Sequence, residues 1–212
     1  MHAVDLGREA MTLQEIVTMI GKSNPVILDV GCNDGEHTRM FLSLFPAARL
    51  FCFEPDPRAR ARFVQDDRAL LSSVALGAED GMVSFYQSNG WPGGGAGWDL
   101  SGSIRKPKNH LNVHPWCTFG EQIDVQVARL DSWAEQNGIR EIDFIWADVQ
   151  GAEGDLITGG RRMLARTRYF YTEYNDGEMY EGQPTLDQLR AMLPNFAVEC
   201  VYSDDVLFRR IG

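Results

Sequence analysis

The stretch Val26-Ile27-Leu28-Asp29-Val30-Gly31-Cys32-Asn33-Asp34-Gly35-Glu36-His37-Thr38 decides the fold. Its first five residues are almost all apolar and predict a strand buried on both faces of a parallel sheet. Gly31 and Gly35 predict a tight turn, and residues 38–45 then place apolar side chains at helical spacing. A strand, a glycine turn and a helix in this order indicate the opening of a nucleotide-binding βαβ unit.

The next strand ends in an acidic residue that narrows the class of ligand. Glu54 lies about 20 positions past the glycine turn, where a carboxylate can accept hydrogen bonds from both ribose hydroxyls. A dinucleotide fingerprint would need glycine where this chain has Asn33 and Glu36. The remaining glycines suit a ligand with ribose and adenine but no phosphates, such as S-adenosylmethionine. A turn that serves only the fold is the alternative, and Glu54 in register favours ligand binding.

Composition limits the class of protein and its partners. The 212 residues are 44% apolar and 24% charged, which is typical of one globular domain. With 20 basic and 30 acidic residues the net charge is −10, so neither nucleic acid nor an anionic membrane is the expected partner. The amino terminus shows no secretory signal and no apolar run is long enough to span a membrane. Four scattered cysteines without a C-x-x-C pair favour a cytoplasmic location.

The order of predicted elements indicates a Rossmann-like α/β fold. We expect a single domain over residues 1–212, in which residues 1–22 form a helical cover on a mostly parallel seven-stranded sheet with helices on both faces. A closing antiparallel pair of strands is typical of methyltransferases and absent from most dinucleotide enzymes. Strands are predicted at 26–30, 49–53, 70–76, 82–86, 122–130, 142–147, 169–173, 196–202 and 205–209. Helices are predicted at 13–20, 38–45, 58–66, 131–137, 154–165 and 186–193.

Residues 88–120 show no sustained periodicity and are rich in glycine and tryptophan. So long an irregular segment within a compact domain is usually functional or disordered. Exposed aromatic side chains are costly without a purpose, so we interpret it as a lid or substrate loop. Its candidate substrate residues are Trp91, Trp98, His110 and His114.

Three motifs in order along the chain resemble one family. Phe53-Glu54-Pro55-Asp56-Pro57 follows the glycine turn, then comes Leu130-Asp131-Ser132-Trp133, and then Ile142–Glu153, which carries Asp148-Val149-Gln150-Gly151-Ala152-Glu153. Together they resemble the FkbM-type S-adenosylmethionine-dependent methyltransferases over residues 26–175. The resemblance departs at Trp146-Ala147, where Lys-Ile is usual, and at Gln150, where Glu is frequent.

The resemblance implies O-methylation of a small-molecule hydroxyl, on a sugar or a natural product, with S-adenosylhomocysteine as product. It implies that Asp29 and Gly31 meet the methionine end of the cofactor and Glu54 the ribose. The full set of expected cofactor residues is Asp29, Gly31, Asn33, Gly35, Glu54, Pro55, Ala75, Leu76 and Asp148.

Asp148 is the strongest candidate for the catalytic base. It follows a central strand, at the sheet edge where open α/β sheets bind their ligands, and an alcohol acceptor must lose a proton. Glu153 and Glu173 are further catalytic candidates, although Glu153 could simply stabilise the first turn of a helix. His110 and His114 are weaker alternative bases. Metal-free chemistry is favoured, but oxygen ligands from Asp148, Glu173 and Asn175 would suit a divalent cation such as Mg²⁺.

Two other functions compete with methyl transfer. A nicotinamide-dependent, NAD(P)-linked reductase is disfavoured by the two missing fingerprint glycines. A non-catalytic nucleoside-binding protein on the same fold is disfavoured because Asp29, Glu54 and Asp148 occur together.

Overall fold

Two sheets organise the structure, a computed structural model that describes residues 6–8 and 10–212. Its strands are β1 (Leu6–Arg8), β2 (Val26–Val30), β3 (Arg49–Phe53), β4 (Ala69–Ser72), β5 (Ala75–Leu76), β6 (Gly81–Gly90), β7 (Cys117–Ala128), β8 (Ile142–Ala147), β9 (Thr167–Glu173), β10 (Phe196–Tyr202) and β11 (Asp205–Arg210). Its helices are α1 (Leu13–Ile20), α2 (Glu36–Leu44), α3 (Pro57–Arg60), α4 (His110–Val113), α5 (Leu130–Gln136), α6 (Glu153–Gly159), α7 (Arg161–Leu164) and α8 (Leu186–Met192).

The main sheet has the order β1-β10-β11-β9-β8-β2-β3-β4. Strand β11 runs antiparallel to both of its neighbours, and the other pairs are parallel. The predicted seven-stranded, mostly parallel α/β sheet with its closing antiparallel pair is therefore confirmed. Strand β1 adds an eighth strand at the edge of the sheet, beside β10. It was not predicted, because a segment of three residues is too short to show a strand pattern. The expected cover over residues 1–22 includes residues 1–5 and 9, which lie outside the described residues; α1 is the helical part of it.

The small sheet has the order β5-β7-β6 and packs beside the carboxyl edge of the main sheet. One predicted strand, 70–76, is wrong: it divides into β4 in the main sheet and β5 in the small one. A continuous apolar run does not show where a strand changes its hydrogen-bonding partner. Strands β6 and β7 also extend to Gly90 and from Cys117, so the irregular segment is narrower than 88–120 and contains α4.

Local capping signals predict where the helices begin better than they predict where the helices end. Thr12 forms a capping box with Glu15 at the start of α1, as its sequence spacing predicts. Asp56 caps α3, but that helix ends at Arg60 instead of continuing to residue 66. The predicted helix 154–165 is divided at Gly160 into α6 and α7. The helical spacing of apolar residues continues on both sides of Gly160, so the sequence pattern does not reveal the break.

The glycine turn fits against the end of the neighbouring strand. The backbone N–H groups of Gly31 and Cys32 both donate to the Phe53 carbonyl, at 2.9 and 3.0 Å, and the Asp148 N–H donates to the Val30 carbonyl at 2.9 Å. Gly31 has a φ of 83°, and a Cβ there would lie 1.8 Å from the Asp148 carbonyl oxygen. The glycine is therefore required by contact between two strand ends, independently of any ligand.

In the part of the chain that the structure describes, no helix is long and apolar enough to cross a membrane.

We expect Gly31→Ala to lower the free energy of unfolding by about 3 kcal/mol or more, because a left-handed backbone and a steric clash combine. Urea denaturation followed by circular dichroism measures it. Gly93→Ala is the matched control: Gly93 has a similar φ of 89° but no atom within 4 Å of the added Cβ, so only the backbone term, about 1 kcal/mol, remains. Equal losses in the two variants would contradict the steric explanation.

Candidate active site

A cleft opens where the ends of β2, β3 and β8 face the small sheet. This is the carboxyl edge of the parallel strands, where open α/β sheets bind ligands. Its wall combines apolar side chains with a few polar groups, which is typical of a small-molecule site. The lining residues are Val30, Gly31, Asn33, Phe53, Glu54, Pro55, Val74, Ala75, Leu76, Phe85, Asp99, Leu100, 102–104, 148–150 and Ala152.

Most of the predicted cofactor residues lie on this wall, and two lie behind it. The wall includes Gly31, Asn33, Glu54, Pro55, Ala75, Leu76 and Asp148. Asp29 is fully buried beneath the turn, where Thr38 Oγ1 donates to its Oδ2 at 2.6 Å, and burial raises the pKa of Asp29 to about 7. Gly35 starts α2 and faces the ring of Phe63. Asp29 and Gly35 therefore support the turn from behind.

Glu54 is held rigidly at the end of β3. Its Oε2 accepts from the Asn33 N–H at 2.9 Å and its Oε1 from the Asp56 N–H at 2.7 Å. Arg60 braces the same turn by donating to the carbonyls of Glu54 and Pro55. Burial raises the pKa of Glu54 to about 7. Each carboxylate oxygen can accept more than one hydrogen bond, so Glu54 can still accept from a pair of ligand hydroxyls.

An apolar surface continues from Glu54 towards the small sheet. Phe53, Leu76, Phe85 and Ile104 line it. Glu54 can bind the ribose hydroxyls, and the apolar surface beside it can pack against a flat base. The residues present therefore fit an adenosine group.

Three acidic side chains lie close together near the ends of β8 and β9: Asp148 and Glu173, which we call the acidic pair, and Asp205. Gln150 Nε2 donates to Asp148 Oδ1 at 2.6 Å and to Glu173 Oε2 at 3.2 Å. Burial raises the pKa of Asp148 to about 6. The charge of Asp148 is the first cause that raises the pKa of Glu173 well above its ordinary value, with burial second. Asp205 on β11 adds negative charge to both.

Glu153 lies behind this pair and off the cleft wall. Its Oε1 accepts from the Gly151 N–H at 3.2 Å, whereas its buried Oε2 has no hydrogen-bond partner among the described residues. Burial raises its pKa to about 7. Asn175 turns back on its own loop, where its Oδ1 accepts from the Gly177 N–H at 2.7 Å. Across residues 6–8 and 10–212, no group of three or more His, Cys, Asp or Glu side chains is placed to hold a metal ion.

A row of aromatic rings connects the predicted substrate loop to the acidic pair. Ring centroids are separated by 5.9 Å from Trp91 to Trp98, 4.9 Å from Trp98 to Trp116, and 5.6 Å from Trp116 to His114. The row continues through His110 to Tyr180, at 4.9 and 5.5 Å. His110 is buried and its pKa is lowered to about 4, chiefly by burial, so its imidazole is neutral.

The two halves of the loop are held differently. From residue 101 onwards it is anchored: Ser103 Oγ donates to the Gln150 carbonyl at 2.7 Å, and the N–H of His110 donates to the Met179 carbonyl at 3.1 Å. The glycines at 93, 94 and 97 have no atom within 4 Å of an added Cβ. We call the exposed segment 91–98 the loop tip.

Residues 29–203 match the family model described as the methyltransferase FkbM domain. The chain belongs to the FkbM methyltransferase family. The predicted resemblance is confirmed, and the protein is an S-adenosylmethionine-dependent methyltransferase. The alternative of a nicotinamide-dependent reductase is thereby set aside.

One relative and one solved structure are similar to this chain. It is 48% identical over 204 residues to the 2-O-methyltransferase NoeI of Sinorhizobium fredii (strain NBRC 101917 / NGR234), a match that covers 92% of this chain and 84% of that protein. The crystal structure of methyltransferase FkbM from Methylobacillus flagellatus KT is similar with a TM-score of 0.54 at 14% identity. That match covers 88% of this chain but 44% of the other, and it shows the shared fold alone.

Sequence reasoning did not find several groups that shape the FkbM site. Tyr180 lies in no motif, and only tertiary structure brings its hydroxyl within 2.9 Å of Gln150 Oε1. Asp99 forms a 2.6 Å ion pair with Arg62, which also donates to Asn33 Oδ1 at 3.2 Å across the rim of the cleft. Gln150 stood out in the sequence only as a departure from the usual residue.

We expect Glu153→Gln to stabilise the protein at high pH. A raised folded-state pKa means that, between about pH 4.5 and 7, the folded protein holds a proton that the unfolded chain has lost; Glu153 therefore destabilises the fold progressively as pH rises through this window. At pH 8 the variant should gain up to about 3 kcal/mol, at about 1.4 kcal/mol per pKa unit. Below pH 4.5 this titration contributes no difference. Thermal unfolding at pH 4.5 and pH 8 measures both.

Glu141→Gln, at an exposed position just before β8, is the control for this titration. It should change stability by less than about 0.5 kcal/mol at either pH. If Glu153→Gln gains no stability between pH 4.5 and 8 relative to this control, the buried carboxyl is not protonated in the folded protein.

Proposed function

We propose that the protein methylates a hydroxyl group of a small-molecule acceptor and that Asp148 is the general base. The observation that supports this most is the state of Asp148. It lies on the cleft wall, its pKa is raised to about 6, and a hydrogen bond holds one of its two oxygens. A base with a pKa close to the working pH is efficient at taking a proton from a reacting hydroxyl.

The cleft provides for the cofactor on the other side of Asp148. Bound S-adenosylmethionine would supply an electrophilic methyl group on a positively charged sulfur. Glu54 would accept from the ribose hydroxyls, the turn at Gly31 and Asn33 would face the amino-acid end, and the apolar surface at Leu76 and Phe85 would hold the adenine. Asp29 and Gly35 would act by shaping the turn. S-adenosylhomocysteine would leave from the same cleft.

The neighbouring carboxyls set the basicity of Asp148. Burial and the charge of Asp205 favour the protonated form of Asp148 and increase its affinity for the hydroxyl proton, while Glu173, whose pKa is raised well above its ordinary value, keeps its own proton. The summed field of the ionised carboxyls also favours a positively charged group in the cleft. The hydroxyl proton would pass to Asp148 as the acceptor oxygen bonds to the methyl carbon and the bond from that carbon to sulfur breaks, which leaves S-adenosylhomocysteine as a neutral thioether.

The acceptor site would be the aromatic row and the loop tip. Flat aromatic rings pack against the apolar C–H faces of sugar rings while leaving the hydroxyls free. Trp91, Trp98 and Trp116 form a contacting row, and Trp98 directly precedes the cleft residue Asp99. The relative NoeI is named a 2-O-methyltransferase, which supports an oxygen acceptor. We therefore propose a sugar hydroxyl as the acceptor and the loop tip as a lid over it.

We expect Asp148→Asn to lower kcat by about 10²- to 10⁴-fold, the usual contribution of a general base, because the variant keeps the shape of the side chain but not its basic site. Affinity for S-adenosylhomocysteine, measured by calorimetry, should change little. Methyl-labelled S-adenosylmethionine and a panel of mono- and oligosaccharides provide the assay. Asp187→Asn, exposed on α8, is the control and should stay within about twofold, as surface substitutions away from a site do.

Two results would change the role of Asp148. A kcat within about threefold of the parent, far below that range, would mean that Asp148 only positions the acceptor and that His114 is the better candidate base. Loss of activity with EDTA and recovery with Mg²⁺ would instead indicate a metal held with Glu173.

We expect Trp98→Leu to raise the acceptor KM about tenfold or more, because an aromatic contact of about 1.5 kcal/mol is lost, while affinity for S-adenosylhomocysteine is unchanged. Initial rates at varied acceptor concentration measure this. Leu70→Ala, on the exposed surface of β4, is the control for general effects of losing apolar surface. If Trp98→Leu behaves like this control, the row does not bind the acceptor.

A further inference from the structure

The backbone of Gln150 adopts a conformation that its side chain does not favour. Three non-glycine residues of the described chain have positive φ: Asn33 at 45°, Gln150 at 51° and Glu178 at 48°. Such conformations cost about 1–3 kcal/mol, and at functional sites the surrounding contacts hold them in place. Asn enters this region readily, whereas Gln is not among the residues enriched there. The contacts of Gln150 must therefore stabilise it.

Those contacts use the whole of the Gln150 side chain and its carbonyl. Its Nε2 donates to Asp148 and Glu173 at 2.6 and 3.2 Å, while its Oε1 accepts from the Tyr180 hydroxyl at 2.9 Å. Ser103 Oγ donates to its carbonyl at 2.7 Å. The reverse orientation of the amide would point Oε1 at two carboxylates. Charge therefore fixes which end of the amide faces the acidic pair.

Tyr180 holds this amide from the opposite side. It is buried, and its single hydroxyl hydrogen is shared between Gln150 Oε1 and the Ser101 carbonyl, each 2.9 Å away, so its position does not depend on Gln150 alone. Gly151, with a φ of 91°, lets the turn approach it: a Cβ on Gly151 would lie 2.6 Å from Tyr180 Cβ. The Asp148–Gly151 turn and Tyr180 are thus fitted to one another.

We propose that Gln150 is a positioning residue whose amide, held by Tyr180, fixes Asp148 through Oδ1, separates it from Glu173, and leaves Asp148 Oδ2 as the site that takes the acceptor proton. This rests on the proposed role of Asp148 as base. Two adjacent, half-buried carboxyls would otherwise share one proton, which would occupy the base. The amide between them stabilises the ionised form of Asp148, and the shared proton is left on Glu173, whose pKa is raised well above its ordinary value. Within the described chain, Asp148 Oδ2 receives no hydrogen bond.

The groups around the pair determine the direction of the effect. Asp29 faces it from β2, Glu153 from α6, and Asp204 and Asp205 from the start of β11. All are acids, and so is the Tyr180 phenol. None of them supplies a positive charge, so removing the amide leaves Asp148 with its desolvation and the charge of Asp205 but without its hydrogen bond, and its titration must move to higher pH.

The test is a ¹³C NMR titration of the aspartate and glutamate side-chain carboxyls in the full chain, with and without S-adenosylhomocysteine. Asp148→Asn identifies the Asp148 signal. Glycine adopts a φ near 51° without strain, so Gln150→Gly removes the amide while relaxing the turn. We expect the Asp148 midpoint to rise by about one pH unit or more, a tenfold change in acidity. Gln150→Glu, which cannot donate and adds a charge, should raise it further.

Two tyrosine variants test the support of the amide. Tyr180→Phe should raise the same midpoint by a smaller amount, because the amide loses its fixed end. Tyr169→Phe removes a hydroxyl at the opposite end of β9 from Glu173 and should leave the midpoint in place. Calorimetry with S-adenosylhomocysteine verifies that each variant is folded. A midpoint that stays within about 0.3 pH units in Gln150→Gly, or in Tyr180→Phe if that glycine variant does not fold, overturns the proposal.

These results are separate from those for the base itself. If Asp148→Asn keeps its kcat while the midpoint still shifts, the base assignment fails, and with it the proton-accepting role of Oδ2. If Asp148→Asn loses activity and the midpoint does not shift, Asp148 remains the base and Gln150 is not its positioning residue.

Discussion

The contact between the Gly31 backbone and the Asp148 carbonyl sets the geometry of the whole carboxyl edge. It requires β2 and β8 to end at the same level and close together, with 1.8 Å between an added Cβ and the opposing oxygen. The turn that carries Asn33 and the turn that carries Gln150 both start from this contact. The floor of the cleft is therefore built from two strand ends that leave no room for a side chain between them.

Several acidic side chains lie around the cleft at positions where their ionisation does not stabilise the folded protein. Asp29, Glu54, Asp148 and Glu153 all have pKa values raised by burial, so each of them opposes folding at neutral pH. Backbone N–H groups, a threonine hydroxyl and the Gln150 amide offset part of this cost. Groups that destabilise the fold at one edge of a sheet are common at functional sites. The apolar cores on the two faces of the sheet compensate for the loss of stability.

The strands and the cofactor side of the site could be predicted because their signals are local. Glu54 follows a strand at a fixed distance from a glycine turn, and capping residues mark α1 and α3. The division of residues 70–76 between two sheets could not be predicted, since it depends on which strand lies alongside. Tyr180 and Asp205 reach the acidic pair through tertiary contacts with no trace in nearby sequence. Asp29 was expected to meet the methionine end of the cofactor, and the structure places it fully buried beneath the turn, off the cleft wall.

The unequal anchoring of the loop has a consequence for how this enzyme can diversify. Its second half is tied to the Asp148–Gly151 turn and to the segment around Met179, so a change there disturbs the acid pair as well. The tip carries exposed glycines at 93 and 94 with no atom near an added Cβ, and it is held at its base, where Gly97 and Trp98 donate hydrogen bonds to Asn89 and Gly90. Mutation can remodel the tip, and with it the range of molecules accepted, while the reacting groups stay in register. Acceptor selectivity, which depends on the tip, can therefore change in evolution without altering the groups that carry out the reaction.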